Sequence, residues 1–103
     1  MEKKYKTNPN FLLREIGGES VLIPVGEASV LNNSVINLNE TSLFLWKQFE
    51  TAQTATEIIG KAISIYDAPE GIIEKEIVEF INAYLEVGLL EEEEIWKKNG
   101  LDL

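Results

Sequence analysis

The spacing of apolar and polar positions changes character once along the chain, between Ser34 and Phe49. From Val35 to Leu38 the residues alternate, Ile36 and Leu38 on one side, Val35 and Asn37 on the other, which predicts a half-buried strand. From Leu43 onward Leu43, Leu45, Trp46 and Phe49 gather on one side of a helix. Asn39 stands at the change, with a short side chain that accepts from the free N–H groups of a new helix, and Glu40 follows where the helix dipole favours a carboxylate. Before this hinge the chain reads as β, after it as α.

Upstream, Phe11 to Ile16 and Ser20 to Ile23 predict two strands, joined by Gly17-Gly18 as a tight hairpin turn. Pro24 cannot donate to a ladder, so the second strand is expected to end there. Gly26 to Asn33 reads as a connection, and a third strand from Ser34 completes an antiparallel meander in which it lies at an edge. The first ten residues carry Lys3, Lys4 and Lys6 and predict a loose arm.

Downstream, Thr54-Ala55-Thr56-Glu57 has capping-box spacing, and Ile58, Ile59, Ala62, Ile63 and Tyr66 mark one face of a second helix. Asp67-Ala68-Pro69 breaks it, with Asp67 or Ala68 as the next cap. A third helix runs from about Pro69 to Val87 and stops at Gly88. Leu89-Leu90 then packs back onto the domain. Glu91 to Glu94 reads as a solvated edge or the start of a tail.

The third helix has more apolar surface than a single core contact requires. Ile72, Ile73, Ile77, Val78, Phe80, Ile81, Ala83, Tyr84, Leu85 and Val87 cover roughly two-thirds of its circumference, against the ~100° that suffices for a helix lying on a core. Such a helix is either clasped on several sides, placed in a dimer interface, or partly turned toward a groove for a partner. The strand from Ser34 points to the groove, because Asn32 to Asn39 has no charge and no proline of the kind that usually blunts an edge. An unblunted edge beside surplus apolar surface suits an extended peptide, paired through its backbone and sorted by side-chain pockets. The candidate peptide-binding residues are therefore Ser34, Val35, Ile36, Asn37 and Leu38 on the strand and Ile73, Ile77, Ile81 and Tyr84 on the helix.

At 103 residues the chain is read as one domain, with a core from about Asn8 to Glu91 between the N-terminal arm and an acidic tail. Its formal net charge of −9 opposes phosphate backbones and so nucleic acid. With no cysteine and no histidine, it lacks thiolate chemistry, the commonest general base and the commonest neutral metal ligand. No carboxylate pair is singled out for acid–base work and no calcium-loop spacing occurs, so neither catalysis, a metal nor a cofactor is expected. No stretch approaches the roughly 20 apolar residues of a membrane span and no signal peptide is evident, which makes the cytoplasm the default compartment. Trp46 reads as core, and Trp96, in the acidic tail, as a candidate docking residue.

Several runs together resemble the coenzyme PQQ synthesis protein D family: Asn8-Pro9-Asn10-Phe11, Val21 to Ala28, Leu38-Asn39-Glu40-Thr41 with Trp46, Thr54 to Ile58, Tyr66-Asp67 and Gly88 to Glu91. The resemblance implies an α+β, winged helix-turn-helix-like fold with a three-stranded antiparallel sheet followed by three α-helices. It also implies a non-catalytic protein that binds the leader of a ribosomally made precursor peptide and presents it to a modifying enzyme, often a radical SAM enzyme. In that family the leader adds to the third strand and packs on the third helix. The alternatives are a winged-helix DNA-binding regulator, opposed by Glu70, Glu74, Glu76, Glu79 and Glu86 against the single Lys75 on the third helix, and a small dimerising adaptor without a peptide ligand.

Overall fold

The computed structural model describes residues 2–31 and 34–93, in the order β1 (Lys4–Thr7), β2 (Phe11–Ile16), β3 (Glu19–Pro24), α1 (Glu27–Leu31), β4 (Ile36–Leu38), α2 (Glu40–Gln48), β5 (Gln53–Thr54), α3 (Ala55–Ile65), α4 (Glu70–Glu86) and β6 (Leu90–Glu93). The expected meander is present as the sheet β2-β3-β4, antiparallel throughout, with β4 at its edge. Gly17 and Gly18 turn the hairpin with φ of 59° and 80°, values that favour residues without a Cβ. β3 ends at Pro24, opposite Phe11. The connection after it is partly helical, because Gly26 closes a turn in which Ser29 donates to the Gly26 carbonyl from both its N–H and its hydroxyl.

The N-terminal arm departs from expectation. Lys4–Thr7 forms the centre of a second sheet, β5-β1-β6, antiparallel to both neighbours. Charge explains the pairing: Lys4 lies opposite Glu93 and Lys6 opposite Glu91, while Lys3 reaches Glu92 at 3.3 Å. The run Glu91 to Glu93 is thus strand, with its first two residues exposed. Glu94 and the tail from Ile95 to Leu103, including Trp96, lie outside the described residues.

The helices begin as their caps dictate. Asn39 Oδ1 accepts from the Ser42 N–H at 2.8 Å, and Thr54 and Glu57 form a reciprocal capping box. The Thr54 backbone N–H donated to Glu57 is the main cause that holds that carboxyl below the usual range; desolvation opposes it, and the Thr54 hydroxyl contact and the nearby Lys4 and Lys61 add to the lowering. α4 corrects one assignment: Pro69, not Asp67 or Ala68, is the cap residue, and it makes no side-chain cap bond. At the other end Gly88, with φ of 80°, closes a Schellman motif in which the Leu89 N–H donates to the Tyr84 carbonyl and the Gly88 N–H to that of Leu85.

Two apolar clusters fill the interior. Leu22, Leu38, Trp46 and Leu89 form one beneath the meander; Leu45, Phe49, Ile58, Ala62, Ile73, Ile77, Phe80, Ile81 and Leu90 form the other among the helices. α2 feeds both, Trp46 on one side and Leu45 with Phe49 on the other, and Leu89 and Leu90 part in the same way. Of the expected face of α3 only Ile58 and Ala62 are buried; Ile59 is half-buried, and Ile63 and Tyr66 are a little over a third exposed. A chain of rings joins the clusters: Tyr5 meets Phe49 edge-on, Phe49 stacks near Phe80, Phe80 on Tyr84 at 3.9 Å, and Tyr84 tilts against Trp46.

Candidate functional site

Among the described residues no strand pairs with the outer edge of β4, whose inner edge is held by β3 in the register Ser20–Leu38, Val21–Asn37 and Leu22–Ile36. Alternation works as the sequence predicts. Leu38 is buried and Ile36 half-buried over the Trp46 cluster, while Val35, 55% exposed, and Asn37 face outward. Ser34, just before the strand, is exposed.

Tyr84 brings α4 against the cluster beneath this strand. It packs against the cluster that holds Leu38 and Ile36, stacks on Phe80, and hydrogen-bonds Ser42 through its hydroxyl. Burial pushes the Tyr84 phenol above its ordinary range, and the Ser42 contact opposes the shift only in part. Between α4 and the start of α2 runs an open cleft of about 700 Å³, solvent at its mouth included, lined by Asn39, Ser42, Glu76, Glu79, Phe80 and Tyr84 among others.

Three of the expected helix residues are buried. Ile73, Ile77 and Ile81 are 6%, 3% and 3% exposed and belong to the helical cluster. The reason is angular. The buried arc of α4 is centred on these isoleucines, so its margin, one step round the helix at about 100° per residue, is what turns toward the cleft. Glu76 and Glu79 on that margin line the cleft, and Ala83 and Val87, the latter 65% exposed, continue the margin toward the C-terminal end of α4. Ala83 and Val87 belonged to the apolar sector visible in the sequence, but nothing in the pattern separated margin from centre. Ser42 carried no signal beyond following a cap.

The opposing walls differ in charge. Ser34, Val35 and Asn37 are neutral, whereas Glu76 and Glu79 are exposed carboxylates on α4. No group of three or more acidic residues among those described is placed to hold a metal ion, and no described helix is long and apolar enough to cross a membrane.

An antiparallel meander with an open strand edge, followed by a helical layer, makes this an α+β domain of winged helix-like fold. Residues 19–90 match the family Coenzyme PQQ synthesis protein D (PqqD), and the chain belongs to it. No curated protein matches in sequence. Two solved structures share the fold. TbiB1 in complex with the TbiA(beta) leader peptide superimposes with a TM-score of 0.67 at 20% identity, covering 84% of this chain and 94% of that one. Lasso peptide synthetase B1 complexed with the leader peptide does so with 0.67 at 14% identity, covering 84% and 96%.

Proposed function

We propose that this protein is a non-catalytic recognition element that binds the leader of a ribosomally made precursor peptide and presents it to a modifying enzyme. The observation that carries the reading is the unpaired, uncharged edge of β4 lying beside the cleft along α4. An extended peptide there gains backbone hydrogen bonds from the edge, and alternate side chains reach Tyr84, Ala83 and Val87. Ile36 and Leu38 support the strand from below; Ile73, Ile77 and Ile81 hold α4 in place. That TbiB1 and lasso peptide synthetase B1 share this fold and were solved with leader peptides supports the ligand class. Membership of the PqqD family supports a radical SAM enzyme as that partner and the cytoplasm as the place, with the precursor peptide processed toward PQQ or a related peptide-derived product.

DNA is the weaker ligand on electrostatic grounds. Glu70, Glu74, Glu76, Glu79 and Glu86 are all exposed on α4 with Lys75 alone to meet a phosphate.

The test is calorimetry with the synthetic leader of a precursor peptide encoded beside this protein. Amide exchange should slow across residues 34–38 on binding. Val35→Pro removes an edge donor and fixes φ near −65°, which should abolish binding in a variant that still folds. Val87→Glu, at an exposed site, should weaken it about tenfold, of the order of the burial of one valine. Full affinity in both variants would place the peptide elsewhere.

A further inference from the structure

The groove does not end at Asn39. A second cavity, about 450 Å³ including its open mouth, lies among α2, α3 and the first turns of α4. Phe44, Ala62, Ile73 and Ile77 give it apolar walls, with Tyr66 and Ala68 at its margin. Phe44 and Tyr66 meet edge-on at 5.4 Å, a packing that holds one wall in place. Thr41, Leu45 and Glu76 line both this cavity and the cleft beside Tyr84, so the two adjoin.

Its chemistry narrows the occupant. Sites for small polar molecules hold several convergent polar groups. Here the polar residues, Thr41, Glu76 and the Tyr66 hydroxyl, are all carried by exposed side chains. A large apolar side chain suits such a space. Glu76 and Glu79, both exposed along the passage between the cavities, add a preference for positive charge beside it.

Strand polarity says which part of a peptide reaches it. Every pair in both sheets among the described residues is antiparallel. A strand added to β4 in the same sense runs from Leu38 back toward Ser34, so the residues before the paired segment pass Asn39 and enter the passage. From Asn39 to Phe44 α2 rises about 7.5 Å, which two or three extended residues span at about 3.3 Å each.

We propose that this cavity is a second subsite of the peptide groove, filled by an aromatic or long aliphatic side chain two to four residues ahead of the strand-paired segment, with a Lys or Arg of the peptide against Glu76 and Glu79. The inference rests on the strand-addition reading and adds the direction of the peptide and the feature that selects it.

A displayed library of random 16-residue peptides tests it, selected on the wild type, on Ala68→Trp, which blocks the mouth from an exposed position, and on Glu76→Lys/Glu79→Lys. Peptides from the wild type should share a large apolar residue preceding an alternating segment, with Lys or Arg nearby. Replacing that residue by Ala in the synthetic consensus peptide should cost at least tenfold in affinity on the wild type and less than twofold on Ala68→Trp. The charge-reversed protein should select Asp or Glu instead. An equal loss on wild type and Ala68→Trp, or an apolar anchor that follows the paired segment, overturns the subsite. If the consensus peptide still fails to bind Val35→Pro in that case, strand addition stands without the subsite. Unchanged binding by Val35→Pro and by both pocket variants, or no enrichment on the wild type, overturns strand addition and the subsite together.

Discussion

Tyr84 belongs at once to the interior and to the surface. Its ring lies 3.9 Å from that of Phe80 and 6.3 Å from that of Trp46, so it joins the helical cluster to the one beneath the meander. Its hydroxyl, bonded to Ser42, opens onto the cleft along α4. The two parts can be separated by mutation. Tyr84→Phe keeps the ring and loses one partly exposed hydrogen bond, which should cost about 0.5–1.5 kcal/mol in urea unfolding. Tyr84→Ala loses the ring contacts as well and should cost about 2–4 kcal/mol, somewhat below the usual range for a fully buried aromatic. Equal effects would mean that the ring contributes nothing to joining the clusters.

At the scale of elements, the strand-to-helix hinge and the end of α4 set how the sheet meets the helices. Asn39 lets β4 pass into α2 without a loop, so the free strand edge and Ser42 stay close together. Gly88 reverses the chain after α4 so that Leu89 enters the cluster beneath the meander and Leu90 the helical one. Asn8 locks this reversal, its side-chain amide donating to the Gly88 carbonyl at 2.9 Å while its backbone N–H donates to that of Leu89. No atom stands within 4 Å of a Cβ placed on Gly88, so strain in the left-handed backbone is the whole cost of adding one. Gly88→Ala should therefore lower stability by about 1 kcal/mol without an altered core. Denaturant midpoints with an unchanged near-ultraviolet spectrum would show this.

Across the whole molecule, the two sheets flank different parts of the interior. The meander has the open edge of β4, while β5-β1-β6 lies against the helical cluster through Tyr5 and Leu90. β1 lies before the residues that match the PqqD family, yet Tyr5 reaches Phe49 and the Thr7 N–H donates to the Phe49 carbonyl at 2.9 Å. A chain lacking residues 1–7 should lose about 2–4 kcal/mol through the ring contact and the exposed cluster margin, with a smaller urea m-value because less surface is exposed on unfolding. The Lys3–Glu92 pair contributes little of this, being exposed on both sides. An unchanged midpoint would make β1 an ornament of the fold.

Local chemistry could be read directly from the chain. Asn39 and Thr54 as caps, the Gly17-Gly18 turn, the stop at Gly88 and the edge position of β4 depend on near neighbours in sequence, and each stands where the pattern put it. Partnerships between distant segments were decided by the tertiary structure. Lys4 and Lys6 are ordinary arm residues until Glu91 and Glu93 arrive opposite them from the other end of the chain. The apolar arc of α4 was visible, but periodicity gives a face and not what covers it. Packing against α2 and α3 drew Ile73, Ile77 and Ile81 into the core and left Ala83, Val87, Glu76 and Glu79 exposed.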